Sequence, residues 1–212
     1  MNAPLSLLCS LILVLGLYPG WMAASAQENV ISKDRDAAST SRSITLNDGT
    51  RQEFEQLDLP AGVRRIYLRN CDINDDSLKR LEGLTKLQYL SLEGSKIKGD
   101  GLAILKSLPA LKSLSLNGTK ITDESLKHLL VLKNLTILLL NDTDISDEGT
   151  KTLVLLPRLE WLYLNRTNVT DASMKKLGDL RELRFLSLLG TSVTDSGVTD
   201  LHAVVPSVRV RR

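Results

Sequence analysis

The sequence predicts an α/β protein assembled from stacked strand–turn–helix repeats, and two observations predict it. From Val63 onward the chain recurs with a period of 24 residues, the units starting at Val63, Leu87, Leu111, Leu135, Leu159 and Leu183. With each first residue counted as zero, offsets 0, 3, 5, 10, 15, 18 and 21 are apolar in 41 of 42 cases, against 42% apolar for the whole chain. Thr150 is the exception. Offsets 3 and 5 alternate as strand side chains do, whereas 15 and 18 recur at helical spacing, so each unit reads strand, turn, helix. One such unit buries too little to offset the ordering of its backbone, and stacking lets neighbours cover both of its faces.

The elements follow in order. Residues 1–26 carry no charged side chain, and an apolar run from Leu5 to Tyr18 precedes Ala24-Ser25-Ala26, a small-x-small pattern that signal peptidases accept. An exported protein beginning at Gln27 is expected, with an uncleaved membrane anchor as the alternative. Residues 27–43 mix both charges with small polar groups and read as a flexible linker. The apolar residues of 44–62 (Ile44, Leu46, Phe54, Leu57, Leu59) are too irregular for a repeat and suit a degenerate N-terminal cap. The repeat domain runs over 63–212, and Ser207–Val210 is expected as a short additional strand after the sixth unit.

Within the units, Thr122-Asp123, Ser146-Asp147, Thr170-Asp171, Thr194-Asp195 and Asn74-Asp75 mark helix starts. The first residue of each pair is an N-cap, and the carboxylate favours the positive end of the helix dipole. Lys98-Gly99 breaks this pattern in the second unit. The offset-8 column (Cys71, Ser95, Thr119, Thr143, Thr167, Thr191) is small and expected to line the turn from inside, bonding loop amides. Cys71 is expected to be buried there; after signal removal it is the only cysteine, so no intrachain disulfide forms.

LKSLSLNGTKI (111–121) and LEWLYLNRTNV (159–169) resemble the leucine-rich repeat signature LxxLxLxxNxL, with Thr in place of the usual Asn or Cys. The resemblance covers residues 63–207. The short unit and the Ile-Thr-Asp helix start are similar to exported bacterial members of that superfamily, without a cell-wall anchoring tail of the internalin kind. The resemblance implies a right-handed solenoid with a parallel sheet on the concave side and helices on the convex side.

Function is read from what such a stack presents. A formal net charge of +2 lacks the dense basic surface of a nucleic-acid binder, so no nucleic-acid partner is expected. Offsets 2, 4 and 6 point away from the core, onto the concave surface. Five of the six aromatics beyond the export segment fall there: Tyr67, Tyr89, Trp161, Tyr163 and Phe185. With Arg65, Arg69, Glu93, Ile137 and Leu139 they form the expected binding face for a protein or peptide, Trp161 and Tyr163 being its anchors. The competing account is that aromatic residues favour strands and pack across neighbours.

No catalytic residue, cofactor or metal is expected. His128 and His202 lie three repeats apart on convex elements, and no phosphate-binding loop, Cys pair or Ser-His-Asp set occurs. Asp72-Ile73-Asn74-Asp75-Asp76 looks superficially like a calcium loop, but Ile73 belongs to the core and Ser77 stands where a turn glycine is needed. The lysines at offset 16 (Lys79, Lys127, Lys151, Lys175) read as a solvated face. The alternative function is structural, a protein that self-associates through its solenoid ends or its convex face, where Leu130, Val131, Val154 and Leu155 add apolar residues that either join copies or pack between helices. Sequons at Asn117, Asn141 and Asn165 arise from the repeat, with two more at Asn134 and Asn168; sugars on the first three would crowd the concave surface.

Overall fold

The computed structural model describes residues 42–212. The expected export signal (1–26) and all but the last two residues of the expected linker lie outside the described residues. Eight strands form one sheet in sequential order: β1 (Arg42–Asn47), β2 (Val63–Arg69), β3 (Tyr89–Ser91), β4 (Ser113–Ser115), β5 (Ile137–Leu139), β6 (Trp161–Tyr163), β7 (Phe185–Ser187) and β8 (Arg209–Arg211). Every neighbouring pair is parallel. From β2 to β8 the register advances by one repeat per strand, so Arg65, Tyr89, Ser113, Ile137, Trp161, Phe185 and Arg209 form one row across the sheet.

The apolar lattice is the core. All its positions are buried except Val198 and Val204 in the last unit, and Val204 is 37% exposed where the stack ends. Thr150, the polar exception, is fully buried, its hydroxyl donating to the Asp147 carbonyl (2.7 Å) and the Ser173 Oγ (3.1 Å). A buried hydroxyl with partners costs little, which is how the lattice tolerates it.

The return elements are tighter than the sequence predicts. Asp75–Leu81, Asp100–Ser107, Asp123–Val131 and Asp171–Ser173 are 3-10 helices, whereas Asp147–Leu153, Met174–Leu177 and Asp195–Val204 are α-helical. Offsets 15, 18 and 21 are spaced by three, which lines them up on one face of a three-residue turn, yet the α-helical unit Asp147–Leu153 buries Thr150, Leu153 and Leu156 at the same spacing.

At the N-terminal end β1 pairs with β2, and the helix Arg51–Gln56 folds over the stack with Phe54 fully buried. Thr50 and Glu53 form a reciprocal capping box at its start. The Arg80 guanidinium ties this end down, donating to the carbonyls of Phe54 and Leu57, both at 2.8 Å, and lying 5.5 Å from the Phe54 ring centre. At the other end β8 begins two residues later than the sequence suggests and pairs with β7.

Three columns of equivalent positions recur along the repeats. At offset 8, the hydroxyls of Ser95, Thr119, Thr143, Thr167 and Thr191 donate to the carbonyl three residues earlier at 2.6–2.7 Å. They mainly satisfy carbonyls, where amides were expected. Cys71 occupies the same column, is 2% exposed, and its thiol donates to the Leu46 and Arg69 carbonyls (3.3 and 3.4 Å). Burial pushes that thiol above the usual cysteine range.

The second column is the helix-start aspartates. Four of the five expected N-caps, Asn74, Ser146, Thr170 and Thr194, accept helix amides with their side chains, whereas at Thr122 the Ser125 hydroxyl accepts the Thr122 amide (2.9 Å) and donates to its carbonyl (2.7 Å). The aspartates lie in the first turn, as expected, and those of four units also reach the following repeat. Asp123 accepts the Ser146 amide (2.9 Å) and hydroxyl (2.5 Å), Asp147 those of Thr170 (2.9 and 2.7 Å), and Asp171 those of Thr194 (both 2.7 Å). Asp75 explains how the irregular second unit starts without a side-chain cap, because it accepts the amides of Lys98 (3.0 Å), Gly99 (3.0 Å) and Gly101 (2.8 Å).

The third column lies at offset 7, where Asn70, Gly94, Gly118, Asp142, Arg166 and Gly190 all hold a positive φ between 51° and 70°. This left-handed turn ends each strand. Gly fills half the positions, as the conformation favours, and Arg166 tolerates it while its guanidinium pairs with the Asp142 carboxylate one repeat earlier.

Candidate functional site: the concave face

The register places all ten expected site residues on one face of the sheet or at its strand ends, but at different heights. Arg65, Tyr67, Arg69, Tyr89, Glu93, Ile137, Trp161 and Phe185 are half-buried. Leu139 and Tyr163 are 5% and 4% exposed, so neither stands free on the surface as the sequence reading held. Neighbours in register are the cause, since side chains rooted about 4.8 Å apart on one face cover one another. Tyr163 is flanked in register by Leu139 and Ser187, and its ring lies 5.3 Å from that of Phe185.

Two raised groups and a low saddle result. Towards the C-terminal end, Phe185 bridges Trp161 (5.2 Å between ring centres, planes 31° apart) and Tyr163 (45°), with Ile137 in register beside Trp161. Tilted rings at this separation hold one another rigid. Towards the N-terminal end, the Arg65 guanidinium lies 5.4 Å from the Tyr89 ring centre and that of Arg69 lies 5.6 Å from Tyr67. Burial holds the Tyr67 hydroxyl above its ordinary range, against the opposing pull of Arg65 and Arg69.

The saddle between them is floored by Ser91, Ser113 and Ser115, which are only 1–2% exposed although they face outwards. Short side chains between tall neighbours are overhung. The Ser91 and Ser115 hydroxyls make no hydrogen bond within the described residues. Both hydroxyls are therefore uncommitted to the protein's own groups.

The asparagines at offset 6 have another task, which sequence reasoning missed. Asn117 Oδ1 accepts the Asn141 amide, Asn141 Oδ1 the Asn165 amide (both 2.9 Å), and Asn165 Oδ1 the Leu189 amide (2.8 Å) and the Ser187 hydroxyl (2.7 Å). This ladder satisfies amides where the short strands stop pairing. Its signal in the sequence was the recurrence of Asn itself, which the sequon accounted for first.

Other candidates are committed to structure. In the run that resembles a calcium loop, Asp72 pairs with Lys96 (2.6 Å), Asn74 caps its helix, Asp75 holds the next repeat and Asp76 pairs with Lys79 (3.1 Å). Among the described residues no group of three or more His, Cys, Asp or Glu side chains is placed to hold a metal. The His202 Nε2 lies 3.0 Å from the Val208 carbonyl, within the C-terminal end. Among the same residues, no helix is long and apolar enough to cross a membrane.

A family model described as Leucine Rich repeat matches residues 107–130 and 131–154. No curated protein sequence matches the chain significantly. Among solved structures, internalin C2 of Listeria monocytogenes is similar with a TM-score of 0.60 and 25% identity, over 79% of this chain and 69% of its own. A leucine-rich repeat protein of Leptospira interrogans is similar with a TM-score of 0.55 and 22% identity, over 72% of this chain and 38% of its own. The chain thus spans well under half the length of that second protein. The repeat, the parallel sheet and these likenesses give the chain the leucine-rich repeat fold, an architecture typical of protein–protein interaction modules.

Proposed function

We propose that the protein is an exported, non-catalytic binding module that grips a protein or peptide with its concave sheet. The observation that carries this reading is the Trp161–Phe185 pair: two half-buried rings held 5.2 Å apart on an open sheet, with their remaining surface turned to solvent. Rings already fixed by their neighbours lose little entropy when a partner covers them, which is what interface anchors need. Tyr163 serves as the support beneath Phe185 rather than as an anchor. Export rests on the first 26 residues, whose sequence has the form of a cleavable signal.

The test is capture of partners by wild type, Trp161→Ala and Phe185→Ala, with thermal melts run alongside. Loss of a specific partner from both variants at unchanged melting temperature supports the reading. Undiminished capture by both counts against this face.

A second reading is self-association through the convex side. It is favoured by Leu155 and Val131, which are 61% and 48% exposed on neighbouring units while Leu130 and Val154 are half-buried beside them. Sedimentation at rising concentration decides it, since a mass that stays monomeric removes this reading.

A further inference from the structure

The outward-facing positions of the strands carry an uneven charge. Arg65 and Arg69 stand on β2, Arg209 and Arg211 on β8, and the intervening rows hold one carboxylate, Glu93, at the position beside Arg69. Four cations against one acid is a larger surplus than the +2 of the whole chain, so the concave face is basic on a molecule that is otherwise slightly acidic. The cations are also at the two ends. In register, Arg209 stands next to Phe185, and Arg65 stands next to Tyr89 with its guanidinium over that ring. Between the ends lie the hydroxyl saddle, then Ile137, Trp161 and Phe185 in consecutive register.

We propose that the occupant of this face is an acidic peptide segment with an apolar centre. It crosses the strands with carboxylates against Arg65 and Arg69 at one end and against Arg209 and Arg211 at the other. Its apolar side chains lie on Ile137, Trp161 and Phe185. The proposal rests on the binding role given above and adds the chemistry of the partner.

The dimensions suit a short segment. Six strand spacings separate β2 from β8, which at about 4.8 Å each is about 29 Å, the span of roughly nine extended residues at about 3.3 Å apiece. Facing cations at both ends of an apolar strip select carboxylates at matching separation and repel a basic partner. The saddle supplies a further preference. A backbone carbonyl or amide of the crossing peptide is the kind of group that pairs with hydroxyls such as those of Ser91 and Ser115.

The experiment is selection from a displayed library of random dodecapeptides against the full chain, followed by binding titrations of the recovered peptides. The variants are Arg209→Glu, Arg65→Glu and Trp161→Ala, each checked for an unchanged melt. The expected result is enrichment of Asp and Glu flanking apolar residues. Each charge reversal weakens these peptides on the order of tenfold, with a smaller loss at high salt, and Trp161→Ala weakens them too. Two arginine sites at opposite ends keep the test decisive if one variant misfolds.

Peptides that depend on Trp161 but show no enrichment of acids overturn the proposed chemistry and leave the concave binding role standing. Acidic peptides indifferent to Trp161 and both arginines overturn both. Recovery of no binding peptide, or equal binding of polyglutamate lacking apolar residues, overturns the proposal.

Discussion

The Asp147 carboxylate accepts both the amide and the hydroxyl of Thr170, at 2.9 and 2.7 Å, so the first helical residue of one repeat fixes the N-cap of the next. The same clasp recurs from Asp123 to Ser146 and from Asp171 to Thr194. Strands of three residues give each neighbour few ladder bonds. The clasp supplies a second line of hydrogen bonds on the far side of the core, between elements too short to be stable alone.

Asp147→Ala therefore removes the acceptor for three donors, the Thr170 amide and the hydroxyls of Thr170 and Ser173, and leaves the Thr170 amide to find water. Loss of stability by about 1–3 kcal/mol in urea unfolding is expected. Asp195 is the internal control. It stands at the equivalent position of the last unit, where its carboxylate pairs with Arg212 and is almost fully exposed, so Asp195→Ala is expected to leave the urea midpoint nearly unchanged.

Acid should open the same line. Burial raises the Asp147 carboxyl, but hydrogen bonds from Ser173 and Thr170, with the nearby Lys151 charge, outweigh it and hold the group below its ordinary value. Asp171 is held low by Thr194. A carboxyl that is harder to protonate folded than unfolded contributes fully above the unfolded value of about 3.9 and loses that contribution as pH falls through the folded one. Melting temperature is thus expected to drop below about pH 4, and the drop should be shallower in Asp147→Asn.

The clasps also need room. A Cβ at Gly149 would lie 2.2 Å from the Asp123 Oδ1 and 2.9 Å from the Ile145 Cγ2, and one at Gly197 would lie 2.1 Å from the Asp171 Oδ1. Gly149→Ala is expected to lower stability by about 1–3 kcal/mol, as overpacking does. At Gly62 nothing lies within 4 Å of the added atom. Gly62→Ala is expected to be neutral or slightly stabilising in the same melts.

The apolar lattice and the order of strand and helix were legible in the sequence because burial imposes periodicity directly on residue type. The pitch of the return helices was not legible, because the three-residue spacing of Leu126, Leu129 and Leu132 on a 3-10 helix recurs as Thr150, Leu153 and Leu156 on an α-helix. The partner of Asp147 was not legible, because a carboxylate at a helix start is already explained by the dipole. What marks the clasp is the alternation of Ser77, Gly101, Ser125, Gly149, Ser173 and Gly197 two positions later, small residues kept where the clasp passes. On the concave face, direction was legible and height was not. Alternation told that Tyr163 and Ser115 face outwards, but their burial depends on neighbours one repeat away.

The binding role of that face is tested most directly by placing a photo-crosslinking residue at Ile137, in the row between the serine saddle and Trp161, and separately at Lys151 on the convex side, then illuminating the protein in extract of its native host. The account predicts a discrete crosslinked species from position 137 that disappears with Trp161→Ala, and none from position 151. A partner trapped from position 151 while 137 stays silent would contradict it.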